Sequence, residues 1–326
     1  MTVGVAVVGC GLIGAKRVAA LPAGFELAAV YDEILARAQL LAHEAPGEAT
    51  AARTLDEALG ARGVSLVIVA TTHGGLAPAA IAALDAGHDV LIEKPGARTL
   101  GELLAVREAA VGSGRLVRVG YNHRFHPSFR KIRELLAVHD YGPLMHVRAR
   151  YGHGGRIGYE QEWRADRSLS GGGELLDQGS HLIDLTRMIA GDVELAFSEL
   201  RSDFWSADVE DNAFLALRTE NGAFAWLHAS WTEWRNLFSF EIAFRTAKLE
   251  VQGLGGSYGV ERLTLYEMLP EMGPPVTTAW EFPRADESWA RELGDVASAL
   301  RGEGTVGASL DDAVAVFTVI EEAYRQ

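Results

Sequence analysis

The stretch VGVAVVGCGLIG, residues 3–14, sets the reading of the fold. Val3–Val8 is a short apolar run rich in β-branched residues, the pattern of a strand buried on both faces. Gly9-x-Gly11-x-x-Gly14 follows at once, and a helical pattern takes over from there. In that order the first glycine permits a tight turn, the second lets backbone approach a pyrophosphate, and the third lets helix and strand pack closely. The free N–H groups at the helix start add a partial positive charge for phosphates. Leu12 and Ile13 lie within this loop and are counted with Gly9, Gly11 and Gly14 as cofactor contacts.

The next 110 or so residues repeat the grammar. Strand candidates at Glu26–Val30, Ser65–Ala70, Asp89–Ile92 and Leu116–Val119 alternate with helical patterns at Ile34–Ala42, Leu76–Ala86 and Leu100–Val111. Such alternation predicts a doubly wound parallel sheet, an α/β dinucleotide-binding (Rossmann) domain over residues 1–121. Asp32 follows the second strand in AAVYDE. A carboxylate there accepts hydrogen bonds from a ribose 2′-hydroxyl and repels a 2′-phosphate. With no arginine directly after it, and Arg37 the nearest, NAD is favoured over NADP.

After Tyr121 the pattern changes. A helix over Pro127–Val138 and a strand over Leu144–Tyr151 precede a glycine-rich polar loop and a second helix. From Val193 to Tyr266 the chain turns strongly β. Phe238, Phe240, Ile242 and Phe244 alternate with smaller or polar residues, the period of a sheet with one buried face. Asn221-Gly222 marks a hairpin turn. Helical patterns at Ser288–Leu300 and Leu310–Tyr324 close the chain, giving a second domain over residues 122–326.

Composition narrows the partners. Of 326 residues 48% are hydrophobic and 23% charged, with a net charge of −14, which argues against nucleic acid and anionic membrane surfaces. No stretch approaches the roughly 20 apolar residues that span a bilayer. Cys10 is the sole cysteine, which excludes an internal disulfide and suits a reducing, cytoplasmic setting. No cluster with metal-ligand spacing stands out.

Two further motifs carry a family resemblance. DVLIEKP, at Asp89–Pro95, ends a strand in Glu93-Lys94-Pro95, and GGGELLDQGSH places Asp177 and His181 after three glycines. Together with the glycine loop they resemble the glucose-fructose oxidoreductase, inositol dehydrogenase and rhizopine-catabolism (Gfo/Idh/MocA) family, over essentially the whole chain. That resemblance implies a Rossmann domain joined to a C-terminal α/β domain with a large, mostly antiparallel sheet. It implies oxidation or reduction of a hydroxyl/carbonyl pair on a sugar, sugar acid or cyclitol, and a homodimer or homotetramer formed through the sheet. Carried over by position, Lys94, Asp177 and His181 match the family's catalytic lysine, aspartate and histidine, and Glu93 and Lys94 sit beside the cofactor. One departure stands out. Where the family often has Thr-Pro-Asn-x-x-His, this chain reads Thr71-Thr72-His73-Gly74-Gly75-Leu76, so Thr71 and His73 are the residues left to line the nicotinamide, and Leu76 cannot replace a histidine.

The chemistry fits those residues. Hydride removal from an alcohol carbon needs a base for the hydroxyl proton. His181 is the candidate, because an unperturbed imidazole can cycle near neutrality, and Asp177, four residues earlier, can orient it or bind a neighbouring hydroxyl. Lys94 can hold the developing alkoxide, or act as the base itself if burial lowers its pKa. The three glycines are expected to let backbone pass close to cofactor and substrate. For the substrate, Asn122 and Arg124 in YNHRF, and His153, Trp163 and Arg164 in the polar loop, are the candidates, with Arg156 and Tyr159 nearby. The basic residues hint at an anionic sugar. Trp231 and Trp234 are read as packing residues. Two other functions share these features, a glycosidase that uses bound NAD transiently and a nucleotide sensor without turnover.

Overall fold

The computed structural model describes residues 2–271 and 273–326. The chain forms two compact units. The first opens with β1 (Val3–Val8), α1 (Leu12–Ala19), β2 (Phe25–Tyr31), α2 (Leu35–Glu44), β3 (Thr50–Ala51) and α3 (Leu55–Leu59). It continues with β4 (Val64–Val69), α4 (His73–Asp85), β5 (Asp89–Glu93), α5 (Leu100–Ser113) and β6 (Val117–Gly120). All neighbouring strands pair in parallel, in the order β3-β2-β1-β4-β5-β6. This is the strand order of dinucleotide-binding sheets, which reverses direction between β1 and β4. Val5–Val7 and Leu66–Val69 are fully buried there, as strands covered on both faces must be.

Two elements of this unit have no clear sequence signal. Strand β3 is two residues long, and α3 is a single capped turn in which the Thr54 hydroxyl accepts the Glu57 N–H at 3.1 Å. Helix α4 starts at His73, three residues earlier than the apolar pattern suggests, because His73-Gly74-Gly75 carries no helical periodicity of its own.

A 3-10 turn (Asn122–Phe125) leads into the second unit, which holds α6 (Pro127–Val138), β7 (Leu144–Gly152) and α8 (Ser180–Ala190), while the short α7 (Arg167–Ser170) between them lies mostly in the first unit. Strands β8 (Val193–Arg201), β9 (Asn212–Thr219), β10 (Phe224–Ser230), β11 (Leu237–Phe244), β12 (Ala247–Gln252), β13 (Glu261–Glu267) and β14 (Val276–Phe282) complete an eight-stranded sheet with β7. Its order is β14-β13-β12-β11-β7-β10-β9-β8, antiparallel except for β7–β10. The hairpin turn at Asn221-Gly222 forms, with Gly222 at φ +78°. One face packs on α6, where Phe129 meets Phe238 and Phe240 edge-on. On the other face, Phe197 stacks on Trp226, and Arg148, Lys248 and Glu241 form a charged cluster.

Helices α9 (Ser288–Leu300) and α10 (Leu310–Arg325) follow. Residues Trp289–Val314 return to the first unit, as do Ser168–Gly171, while Ala315–Gln326 belongs to the second. Leu293 and Val296 of α9 are buried in the first unit's core with Val5, Val7 and Leu91. A division by sequence position alone does not reveal that return, because the apolar stripe of α9 does not name its partner.

Candidate active site

The glycine loop separates its three glycines by physical cause. Gly9 has φ +96°, and a Cβ there would lie 2.5 Å from the Ala70 carbonyl oxygen. A Cβ on Gly14 would overlap the Gly9 carbonyl. Both are required by the protein's own packing. Gly11 is different, because a Cβ there would meet no atom of the described residues within 4 Å. Gly11 stands immediately before α1, whose first turn carries no acidic residue. Leu12 beside it is 74% exposed and Ile13 half-buried. These residues fit a dinucleotide, because the one glycine that packing does not demand lies at the end of the helix that favours phosphate.

Asp32, just past β2, is tied to the same loop. Its Oδ2 accepts the Cys10 N–H at 2.8 Å and its Oδ1 accepts the Ile34 N–H at 2.9 Å. Each oxygen retains capacity for a second donor. Burial, and then the Asp32 carboxylate, pushes the Cys10 thiol up to about 12, so it stays protonated and inert at neutral pH. Thr71 donates to the Thr72 carbonyl oxygen at 3.0 Å, and His73 Nδ1 lies 2.8 Å from the Ser170 carbonyl oxygen.

At the end of β5, Glu93 is buried and Lys94 half-buried, and the Lys94–Pro95 bond is cis. The Glu93 side chain meets Arg17 of α1, whose Nε donates to Oε1 at 2.5 Å. Arg17 Nη1 donates to Glu292 of α9 at 2.6 Å, and the guanidinium lies 4.6 Å from the Trp289 ring centroid. Burial, opposed by Arg17 and reinforced by Glu93, raises the Glu292 carboxyl to about 7. The motif preceding Lys94 is thus anchored through Glu93 to the helix that follows the glycine loop. Asn122, also proposed from sequence, is buried at the end of this unit.

In the second unit the Asp177 and His181 segment departs from a plain helix. Leu175–Gly179 forms a π turn, and α8 begins at Ser180. Such turns recur at functional sites because one extra residue per turn re-aims the side chains. Asp177 and His181 are both buried. Arg164 Nε donates to Asp177 Oδ2 at 3.0 Å, and its guanidinium lies 4.6 Å from the Trp163 ring centroid. His153 accepts the Gly155 N–H at its Nδ1, and burial lowers its pKa.

The glycine triplet has an internal explanation. Gly171 has φ +83°, and a Cβ there would lie 2.5 Å from the Arg98 carbonyl oxygen. A Cβ on Gly172 would overlap the Tyr324 hydroxyl, and one on Gly173 would overlap the Glu210 carbonyl. All three close approaches are to the protein's own atoms. Glu210 Oε1 accepts N–H groups from Gly173 and Leu175, both at 3.1 Å, and the Tyr324 hydroxyl at 2.8 Å. This clamp fixes the entry to the π turn, and no spacing in the sequence links Glu210 or Tyr324 to it.

The arginines behind the suggestion of an anionic substrate all face acids. Arg124 grips Asp184 with Nε and Nη2, at 2.9 and 2.6 Å. Arg156 pairs with Glu162 at 2.5 Å, and Arg164 with Asp177. Tyr159 and Trp231 pack edge-on in a small core with Val209, so both serve as packing residues. Trp234 is 63% exposed at φ +56°. His123 is the residue the sequence reading passed over. It lies between Asn122 and Arg124, and its ring stacks on His181 with centroids 3.7 Å apart.

Residues 3–121 match the model of an oxidoreductase family with an NAD-binding Rossmann fold, and residues 129–258 match the GFO/IDH/MocA C-terminal domain. Inositol 2-dehydrogenase 2 of Saccharopolyspora erythraea is 33% identical over 232 residues, which cover 68% of this chain and 65% of that protein, less than two thirds of its length. The 1,5-anhydro-D-fructose reductase of Ensifer adhaerens is 26% identical over 93% of this chain and 91% of its own. Among solved structures, GenD2 from gentamicin A biosynthesis, in complex with NAD, has a TM-score of 0.83 at 27% identity, covering 99% of this chain and 93% of that one.

Proposed function

Because this chain belongs to the Gfo/Idh/MocA oxidoreductase family, with its NAD-binding Rossmann fold, we propose that it is an NAD-dependent dehydrogenase acting on a CH–OH group of a neutral sugar or cyclitol. The observation that carries this reading is Gly11, whose missing side chain serves no internal packing and stands at the amino end of α1. There the N–H groups of the loop hold a pyrophosphate, and the exposed Leu12 with Ile13 flanks it. Asp32, already bonded to the loop backbone, takes the ribose hydroxyl and disfavours NADP. Thr71, His73 and Glu93 shape the rest of the cofactor side.

Bound NAD supplies the acceptor for the hydride. His181 takes the hydroxyl proton as the hydride leaves, and Lys94 holds the oxygen's developing negative charge. Asp177, paired with Arg164, accepts a hydrogen bond from a neighbouring substrate hydroxyl. His153 and Trp163, on the same loop as Arg164, offer a polar edge and an aromatic face to a hydroxylated ring. The acid partners of Arg124, Arg156 and Arg164 favour a neutral substrate over a carboxylated or phosphorylated one.

In this reading the first unit binds cofactor and the second binds substrate. The second unit's sheet also joins copies of the chain, through the face that exposes Phe197, Phe224 and Trp226 at 46%, 41% and 39%. Among the described residues no helix is long and apolar enough to cross a membrane. With Cys10 the sole cysteine, we assign the protein to the cytoplasm. The test is net formation of reduced nicotinamide from NAD and a panel of neutral cyclitols and sugars. Lys94→Ala and His181→Ala should each lower turnover by roughly 10²–10⁴-fold and keep NAD affinity. Unchanged turnover in both variants would contradict the reading, and product without net reduction would point to a glycosidase.

A further inference from the structure

We propose that His123 is a positioning residue for His181, and that the two stacked imidazoles hold a single proton between them. The proposal rests on the acid–base role given to His181 above. The rings lie with centroids 3.7 Å apart and planes 24° from parallel, and both side chains are buried. Stacking occupies a face of His181 and leaves its two nitrogens in the ring plane, where hydrogen bonds form. The stack therefore fixes the plane in which His181 meets a hydroxyl.

His123 is itself held on two sides. Its Nε2 lies 3.2 Å from the Tyr151 hydroxyl, and His126 packs edge-on against it at 5.3 Å and 74°. His126 Nδ1 is 3.0 Å from Glu261 Oε2, and Glu261 Oε1 accepts the Ser128 N–H at 2.8 Å. Although burial opposes it, His126 and the Ser128 groups hold the Glu261 carboxyl below its usual range. Tyr151 also faces His181, with ring centroids 6.2 Å apart, and packs against Tyr258. Burial first, then Tyr258 and Asp177, raises the Tyr151 phenol well above its usual value, so it remains neutral. The titratable groups facing the residues that hold the pair are Asp177, Glu174 and Tyr258, which act on Tyr151, and Glu261 and Asp286, which face His126, with Arg164 opposite Asp177.

One imidazolium over a neutral ring face is attractive. Two imidazoliums at 3.7 Å repel strongly even with protein-like screening, so the second proton is refused. The pair then titrates as a unit, and His123 governs when His181 can carry charge.

The experiment is ring-nitrogen NMR of the full chain labelled at histidine, titrated alongside the pH profile of kcat/KM. In the wild type, the His123 and His181 rings should together take up one proton between about pH 9 and about pH 5. His123→Phe keeps an aromatic face but no second proton site, so it should hold kcat within about threefold and move the acid limb, whereas His123→Ala should move the limb and also lower kcat about tenfold, with KM for NAD unchanged in both. Two rings that each take up a full proton independently overturn the proposal, as does His123→Ala with wild-type kcat and an unmoved acid limb. If His123→Ala does not fold, the wild-type titration and His123→Phe decide. Full turnover in His181→Ala would remove the acid–base reading alone, and the one-proton titration would still decide the pairing.

Discussion

Replacing Arg17 by methionine tests how the motif ahead of Lys94 is held. In the native chain the guanidinium lies between two buried carboxylates, 2.5 Å from Glu93 and 2.6 Å from Glu292, under the Trp289 ring. Methionine keeps much of the volume and removes the charge. Both acids are then stranded in the core, and breaking a buried ion pair from one side costs about 3–5 kcal/mol. The loss depends on pH in a definite direction. Glu292 already has a folded-state value of about 7, above that of an exposed carboxyl, and without Arg17 it moves further up. A carboxyl raised in the fold contributes its full stability below the unfolded value and loses it as pH rises through the folded value. Arg17→Met should therefore cost the full about 3–5 kcal/mol near pH 8 and distinctly less near about pH 5, where protonation relieves the stranded charges. Urea unfolding of the protein without added cofactor at the two pH values measures the difference. A loss below about 1 kcal/mol that is equal at both pH values would refute the reasoning, since it would mean that neither carboxylate depends on Arg17.

Other perturbations separate packing from ligand contact. Gly11→Ala should leave unfolding free energy within about 0.5 kcal/mol, because its Cβ meets no atom of the described residues, yet weaken NAD binding measured by calorimetry; unchanged affinity would take the pyrophosphate away from Gly11. Gly173→Ala should do the reverse and destabilise by about 1–3 kcal/mol, because its Cβ overlaps the Glu210 carbonyl, and a neutral result in the same unfolding assay would deny the clamp. Trp226→Glu puts a charge on the exposed aromatic face of the sheet and should shift sedimentation toward monomer; an unshifted assembly would move the interface elsewhere.

Residues 3–14 made the first unit legible because three physical demands coincide there, namely a buried strand, a turn with positive φ at Gly9 and a helix start. The alternation Phe238, Phe240, Ile242 likewise announced a sheet strand, since a half-buried strand must alternate. What stayed hidden depends on contacts remote in sequence. Glu210 and Tyr324 clamp Gly173 and Leu175, yet the four residues share no spacing. Arg17, Glu93 and Glu292 meet only because α9 returns to the first unit. Arg124 looked available to a ligand because a sequence shows a donor without its partner, and Asp184 is that partner. His123 was passed over for a related reason, because stacking on His181 is a property of two elements and leaves no mark on either alone. The π turn at Leu175–Gly179 was read as an ordinary helix, since its side-chain pattern over five residues matches one.

The central claim is that Lys94, Asp177 and His181 serve one hydride transfer, and a double-variant comparison tests it most directly. The rate of NAD reduction is measured for Lys94→Ala, for His181→Ala and for the two combined. If both residues act on the same reacting hydroxyl, the combined variant should lose about as much as the worse single one, because groups that act as a unit are far from additive. Losses that multiply, leaving the combined variant slower by the product of the two single effects, would contradict the account and mean that the lysine and the histidine work independently.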